Sequence, residues 1–155
     1  MKFSDRALSM HKQALSGAAA ALAALLASST ALAAPVTVVV TNFQSDVGEV
    51  NLAVYDNDDD FLGENTFTRA KLDVSDNLVE GNVTFTLDLE PGEYAITIHH
   101  DDNDNGKMDT NFMGIPKEPA AFSNGHVPRF GPPKYKKAAF TIGEDGTTMT
   151  IDLPD

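Results

Sequence analysis

Short runs in which apolar and polar residues alternate at every second position recur along this chain. That period fits half-buried β-strands and excludes amphipathic helices. In residues 82–89, Val83, Phe85, Leu87 and Leu89 share one face while Asn82, Thr84, Thr86 and Asp88 share the other. Val50, Leu52 and Val54 alternate with Glu49, Asn51 and Ala53, and Tyr94, Ile96 and Ile98 alternate with Ala95 and Thr97. Ala138, Phe140 and Ile142 predict another strand, Met149, Ile151 and Leu153 one more, and the β-branched run at 36–41 opens the series. A seventh strand within 66–74 competes with a short helix, because Arg69, Ala70 and Lys71 break its alternation. Strands with one buried face must pair their apolar faces. The expected fold is therefore all-β, an antiparallel β-sandwich of six or seven strands.

Turn residues separate the runs. They occur at 44–48, at Glu90-Pro91-Gly92 and at 143–146, and Pro91-Gly92 predicts the centre of a type II turn with positive φ at the glycine. Residues 101–136 carry no strand periodicity. They hold five of the chain's eight prolines together with Phe112, Phe122, Phe130 and Tyr135. Disordered segments are poor in aromatics, so this stretch is expected to be one long ordered loop packed on an end or edge of the sandwich.

The N-terminus has the three parts of a secretory signal. Lys2, Arg6 and Lys12 form a basic leader, residues 14–26 are apolar, and Ala31-Leu32-Ala33 supplies small residues for cleavage before Ala34. The expected organisation is a signal peptide over 1–33 and a single β-sandwich domain over 34–155, periplasmic or extracellular, with no membrane insertion after cleavage. The domain left behind carries 8 basic and 22 acidic side chains, a net charge of −14. Such a surface repels phosphate backbones and anionic lipid, which argues against nucleic-acid binding, and it attracts cations. With no cysteine, a disulfide framework and a thiolate metal site are both excluded.

The chemistry-bearing stretch starts where the strand of His99 and His100 ends. If Asp101 is position 1, side-chain oxygens fall at positions 1, 3, 5 and 9 (Asp101, Asn103, Asn105 and Asp109). Gly106 stands at position 6, and the backbone carbonyl of Lys107 at position 7. This is the ligand spacing of an EF-hand-like Ca²⁺ loop, in which alternate residues of a tightly curled backbone point oxygens inward. Position 12, where a bidentate Glu closes the shell, is Phe112. Glu118 is the carboxylate placed to substitute for it, and no helices flank the loop. The candidate metal ligands are thus Asp101, Asn103, Asn105, Lys107, Asp109 and Glu118. The alternative is a solvated acidic turn whose Asn and Asp side chains cap their own backbone.

A second acidic run, Asp56, Asp58, Asp59 and Asp60, shares the end of Asp101 only if 66–74 is not a strand. His100 continues the inward face of Tyr94, Ile96 and Ile98, which suits a loop anchor; His99 points outward. A zinc site from His99, His100 and His126 has no diagnostic spacing. For nucleophilic catalysis the sequence lacks Cys and Gly-x-Ser-x-Gly, and Ser123 with His126 makes no triad spacing.

Several motifs carry a resemblance: His100-Asp101, Asn105-Gly106-Lys107, Asp109-Thr110-Asn111, Gly114-Ile115-Pro116-Lys117-Glu118, Phe122-Ser123-Asn124, Gly131-Pro132-Pro133, and upstream Leu89-Glu90-Pro91-Gly92-Glu93-Tyr94. Together they resemble the bacterial family catalogued as domain of unknown function 2141. The resemblance implies an exported protein without an assigned activity. The Pro-Gly-x-Tyr turn also resembles the prealbumin-like sandwiches of carboxypeptidase regulatory domains, which implies a non-catalytic module. The leading expectation is an exported binding or accessory module with a Ca²⁺-stabilised loop and an unidentified protein or small-molecule partner. The alternatives are a hydrolase-like enzyme acting through His100, Asp101 and Glu118, and an envelope structural or interaction protein.

Overall fold

The computed structural model describes residues 32–125 and 131–155. The expected signal peptide therefore lies almost wholly outside the described residues, as does His126. Among the described residues eight strands follow one another: β1 (Ala34–Thr41), β2 (Glu49–Tyr55), β3 (Thr68–Asp73), β4 (Val83–Leu89), β5 (Gly92–Asp101), β6 (Ala120–Phe122), β7 (Phe140–Ile142) and β8 (Thr147–Asp152). Two single-turn helices, α1 (Val74–Asn77) and α2 (Tyr135–Ala138), and a 3₁₀ turn at Ser123–Gly125 complete the described elements.

The strands form two sheets, one ordered β4-β1-β8 and the other β3-β2-β5-β6, with β7 also on β5. Alternation sets which face is buried. Val36, Val38 and Val40 of β1, Phe85 and Leu89 of β4 and Ile151 of β8 point at Val50, Leu52 and Val54 of β2 and Ile96 and Ile98 of β5, all at most 3% exposed. Fully burying an aliphatic side chain of this size contributes about 1.5–3 kcal/mol. The expectation of an all-β sandwich is met.

One open alternative is settled and four expectations are corrected. The weak segment at 66–74 is a strand, β3, and the competing helix is only the turn α1 that follows it. β3 pairs antiparallel with β2 through Glu49↔Asp73 and Val54↔Thr68, so pairing with a neighbour overrides its broken alternation. Ala138 is not in a strand; it ends α2, and β7 begins at Phe140. Gly92 does not adopt positive φ. It opens β5, where a Cβ would stand 3.1 Å from the Tyr94 ring, whose hydroxyl donates to the Glu90 carbonyl, so a side chain there would need the ring to shift by a few tenths of an ångström. Finally, the described residues form eight strands, because the long loop contributes β6. The pairing is also not wholly antiparallel: β8 arrives from the other sheet and lies parallel to β1, Val36↔Thr147 to Thr41↔Asp152.

The long loop packs along the free edge of β5. β7 covers Gly92–Tyr94 of that edge and β6 covers Thr97–His99. Between them the Ile96 N–H would have no strand partner; it donates to the Ser123 hydroxyl at 2.9 Å, which donates in turn to the Ala138 carbonyl. Buried Ser123 thus ties the loop to the sheet and to α2. A second apolar cluster of Tyr55, Ala95, Tyr135 and Ala138, with Phe61 edge-on to both tyrosines, covers one end of the outer face of this sheet.

Candidate functional site

The site grows from the last residues of β5. The period-2 phase sends His100 into the core, 1% exposed, and leaves His99 on the outer face with Asp101. His100 Nε2 lies 2.8 Å from the Val47 carbonyl, which can only accept, so this nitrogen carries the hydrogen. The ring packs edge-on against Phe43, and the His100 backbone N–H donates to the Pro119 carbonyl at 3.0 Å. His100 therefore anchors loop backbone, as its phase suggested. Gly48 closes the same root. Its φ is +82°, and a Cβ there would stand 2.2 Å from the Asp101 carbonyl oxygen.

Asp101 is fully buried. Its two carboxylate oxygens accept separate N–H groups, Asn105 at 3.1 Å and Gly106 at 2.7 Å, and so curl residues 101–106 into a tight turn. Gly106 and Asp104 take the positive φ values, 73° and 57°, that the curl requires. Burial pushes the Asp101 carboxyl up, but the Gly106 and Asn105 N–H groups, with His99 nearby, outweigh it and hold the group below the ordinary aspartate value.

Glu118 is the second hub and is 6% exposed. Its Oε2 accepts from His99 Nε2 and from the Asp109 backbone N–H, both at 2.9 Å, while Oε1 accepts from Asn103 Nδ2 at 3.2 Å. Asn103 Nδ2 also donates to Asp109 Oδ2 at 3.0 Å. One asparagine amide therefore stands between Asp109, which the loop spacing named as a ligand, and Glu118, the carboxylate expected to replace position 12. The segment between them is a small hairpin: the Lys117 N–H donates to the Asp109 carbonyl, and the Asn111 side chain accepts from Met113 and Ile115 N–H groups across the tip.

Of the six residues read as metal ligands, Asn103, Asp109 and Glu118 are joined directly, and Asp101 forms the adjoining turn. Asn105 turns its oxygen onto the Lys107 N–H at 2.8 Å, and both residues are exposed. Among the described residues no group of three or more His, Asp or Glu side chains is gathered as a metal cluster. The Asp56–Asp60 run does not join the site. Tyr55 pairs with Ala95 while Glu49 pairs with Asp101, so the two acidic stretches lie at opposite ends of β2. Asp60 is occupied by Asn57 and Asn65. His99, not His100, is the histidine beside Asp101 and Glu118. The signal for it was phase alone, since residues 99 and 101 share a strand face. Gly48 fell in the turn read at 44–48, but its approach to Asp101 and the role of Val47 had no sequence signal.

A family model described as an uncharacterized protein conserved in bacteria (DUF2141) matches residues 38–150, which span both sheets and the whole acidic loop. No curated protein and no solved structure matches the chain.

Proposed function

We propose that this chain, which belongs to the DUF2141 family of bacterial proteins, is an exported, non-catalytic binding or accessory β-sandwich whose long loop takes up a divalent cation, Ca²⁺ by its ligand chemistry. The observation that carries this reading is the Asn103 amide lodged between the Asp109 and Glu118 carboxylates, beside buried Asp101. Carboxylates drawn together in a partly buried turn repel one another unless a positive charge offsets them. The Asn103 N–H₂ and the His99 ring N–H on Glu118 offer only partial compensation. Rotated by half a turn, Asn103 presents its oxygen instead, which gives a hard cation an all-oxygen neighbourhood of the kind Ca²⁺ takes. The carboxylate oxygens that accept one N–H each keep lone pairs for such an ion.

Export is supported by the tripartite N-terminus and by where β1 starts. Ala34 is its first residue, so a cut before Ala34 leaves every strand of the described residues whole. No helix among the described residues is long and apolar enough to cross a membrane. The non-catalytic reading is supported by His100, whose ring faces the core and is held by a backbone carbonyl. Extracellular calcium modules bind with dissociation constants of roughly 10⁻⁴–10⁻³ M. At about 100-fold saturation this adds about 2.7 kcal/mol. The test is thermal melting in Ca²⁺ and in chelator, for the natural protein and for Asp101→Ala plus Asp109→Ala. A Ca²⁺-dependent rise in the natural protein alone is expected. Identical melts in both conditions would overturn the cation reading.

A second reading, an envelope interaction protein, is favoured by the hairpin tip. Phe112 is 96% exposed, with Met113 at 65% and Ile115 at 52% beside it. Apolar residues grouped at a tip braced by Asn111 suit a contact with another macromolecule. Stable co-purification of a partner with the natural protein, lost on Phe112→Asp, is the expected result; equal recovery by both would discount it.

A further inference from the structure

On the outer face of the five-stranded sheet lies a hollow of about 460 Å³, lined by β2, β3 and β5. Its shape follows from the outward residues of these strands. Ala53 on the middle strand β2 pairs with Arg69 of β3 on one side and Thr97 of β5 on the other. Asn51 likewise stands between Lys71 and His99. Short side chains flanked by long ones leave a trough between neighbouring strands about 4.8 Å apart. The Tyr55 cluster with Phe61 closes one end of the trough, and Gly106 of the acidic loop walls the other. Sites for small molecules have volumes of about 300–1,000 Å³.

Two cationic side chains, Arg69 and Lys71, line this trough. Lys71 is held by Glu49 at 2.7 Å, with the carboxylates of Asp104 and Asp101 also acting on it. Among the described residues Arg69 has no carboxylate within ion-pair distance. Its Nε donates to the Thr66 hydroxyl at 2.9 Å and one terminal nitrogen to the Glu64 carbonyl at 2.7 Å. Two neutral acceptors thus fix the plane of the guanidinium, and its remaining N–H donors and full charge are left for another partner. Tyr55 lies within reach of the same charge: burial pushes its phenol up, and Arg69 and Thr97 pull it down. At physiological ionic strength fields are screened beyond about 8 Å. The Arg69 guanidinium therefore acts on its own end of the trough, whereas Glu49, Asp104 and Asp101 offset Lys71 at the other.

We propose that this trough is a binding site for a small organic oxyanion, whose carboxylate or phosphate group is held by Arg69 with donors from Thr97 and Asn51 and whose body lies over Ala53. The site is distinct from the cation loop, since Arg69, Thr97, Asn51 and Ala53 are not among its ligands, and the anion binds in chelator. The experiment is an amide NMR titration in chelator at fixed ionic strength, with inorganic phosphate in one arm and benzoate in the other. Saturable shifts confined to Asn51, Arg69, Thr97 and their neighbours are expected in at least one arm, and the stronger arm identifies which oxyanion the site prefers. Arg69→Gln is expected to weaken binding at least about tenfold, the scale of one lost charge-assisted contact. Ala53→Leu, which fills the trough and leaves the arginine, is expected to abolish binding with the fold intact. Shifts absent in both arms, shifts scattered over all the lysines, or binding unchanged in either variant would overturn the site.

Discussion

Replacement of Asp101 by alanine isolates what holds the acidic loop together. The carboxylate accepts the Asn105 and Gly106 N–H groups, and hydrogen bonds to a charged group contribute about 1.5–3 kcal/mol each. Both freed N–H groups belong to exposed residues, so water recovers part of the loss. The hairpin beyond can also open locally without unfolding the sandwich. A net destabilisation of about 2–4 kcal/mol follows, equivalent in a domain of this size to a fall in Tm of about 10 °C. The assay is thermal melting followed by circular dichroism at neutral pH in chelator, with amide exchange at residues 105 and 106. The variant is expected to melt lower and to lose protection at those two amides first. A melt shifted by less than about 2 °C with unchanged exchange would refute the clasp as the loop's organiser.

Gly48→Ala is expected to destabilise the protein by about 2 kcal/mol or more, since it combines a positive φ with a Cβ 2.2 Å from the Asp101 carbonyl; urea denaturation reads this directly. Ser123→Ala leaves the buried Ile96 N–H without an acceptor and is expected to cost about 1–3 kcal/mol by the same measurement. Acid should weaken the fold. The Asp101 carboxyl stays low because N–H donation from Gly106 and Asn105 outweighs its burial. Asp60 is held low by Asn57 and Asn65, and Asp73 by Ser75. Each binds a proton less readily folded than unfolded. Their stabilisation is therefore whole above about pH 5 and drains away as pH falls through the folded-state values, below about 4, which melts across pH 2–7 will follow.

The sandwich was legible because burial of one face enforces a period of two, and that period survives in Val36 to Val40, Val50 to Val54 and Tyr94 to Ile98. It failed where pairing, not burial, makes the strand. β3 exposes Arg69 and Lys71 and is held by the edge of β2, and β6 is three residues that gain order from β5 and Ser123. Gly92 departed from expectation because Pro-Gly marks a chain reversal without fixing the sign of the glycine's φ, which here is not positive. In the acidic loop the spacing pointed to Asp101, Asn103 and Asp109, and Glu118 entered only as a carboxylate farther along that could stand in for position 12. His99, Val47 and Gly48 depend on how strands from different parts of the chain meet, and spacing along one segment carries no record of that.

Metal content of the protein purified without chelator, measured with its Ca²⁺ binding isotherm, bears most directly on the cation loop. One ion per chain, lost together with the isotherm in Asp109→Ala plus Glu118→Gln, is the expected result. A chain with no stoichiometric ion and a flat isotherm would leave Asn103, Asp109 and Glu118 as a self-contained hydrogen-bonded turn and would contradict the account.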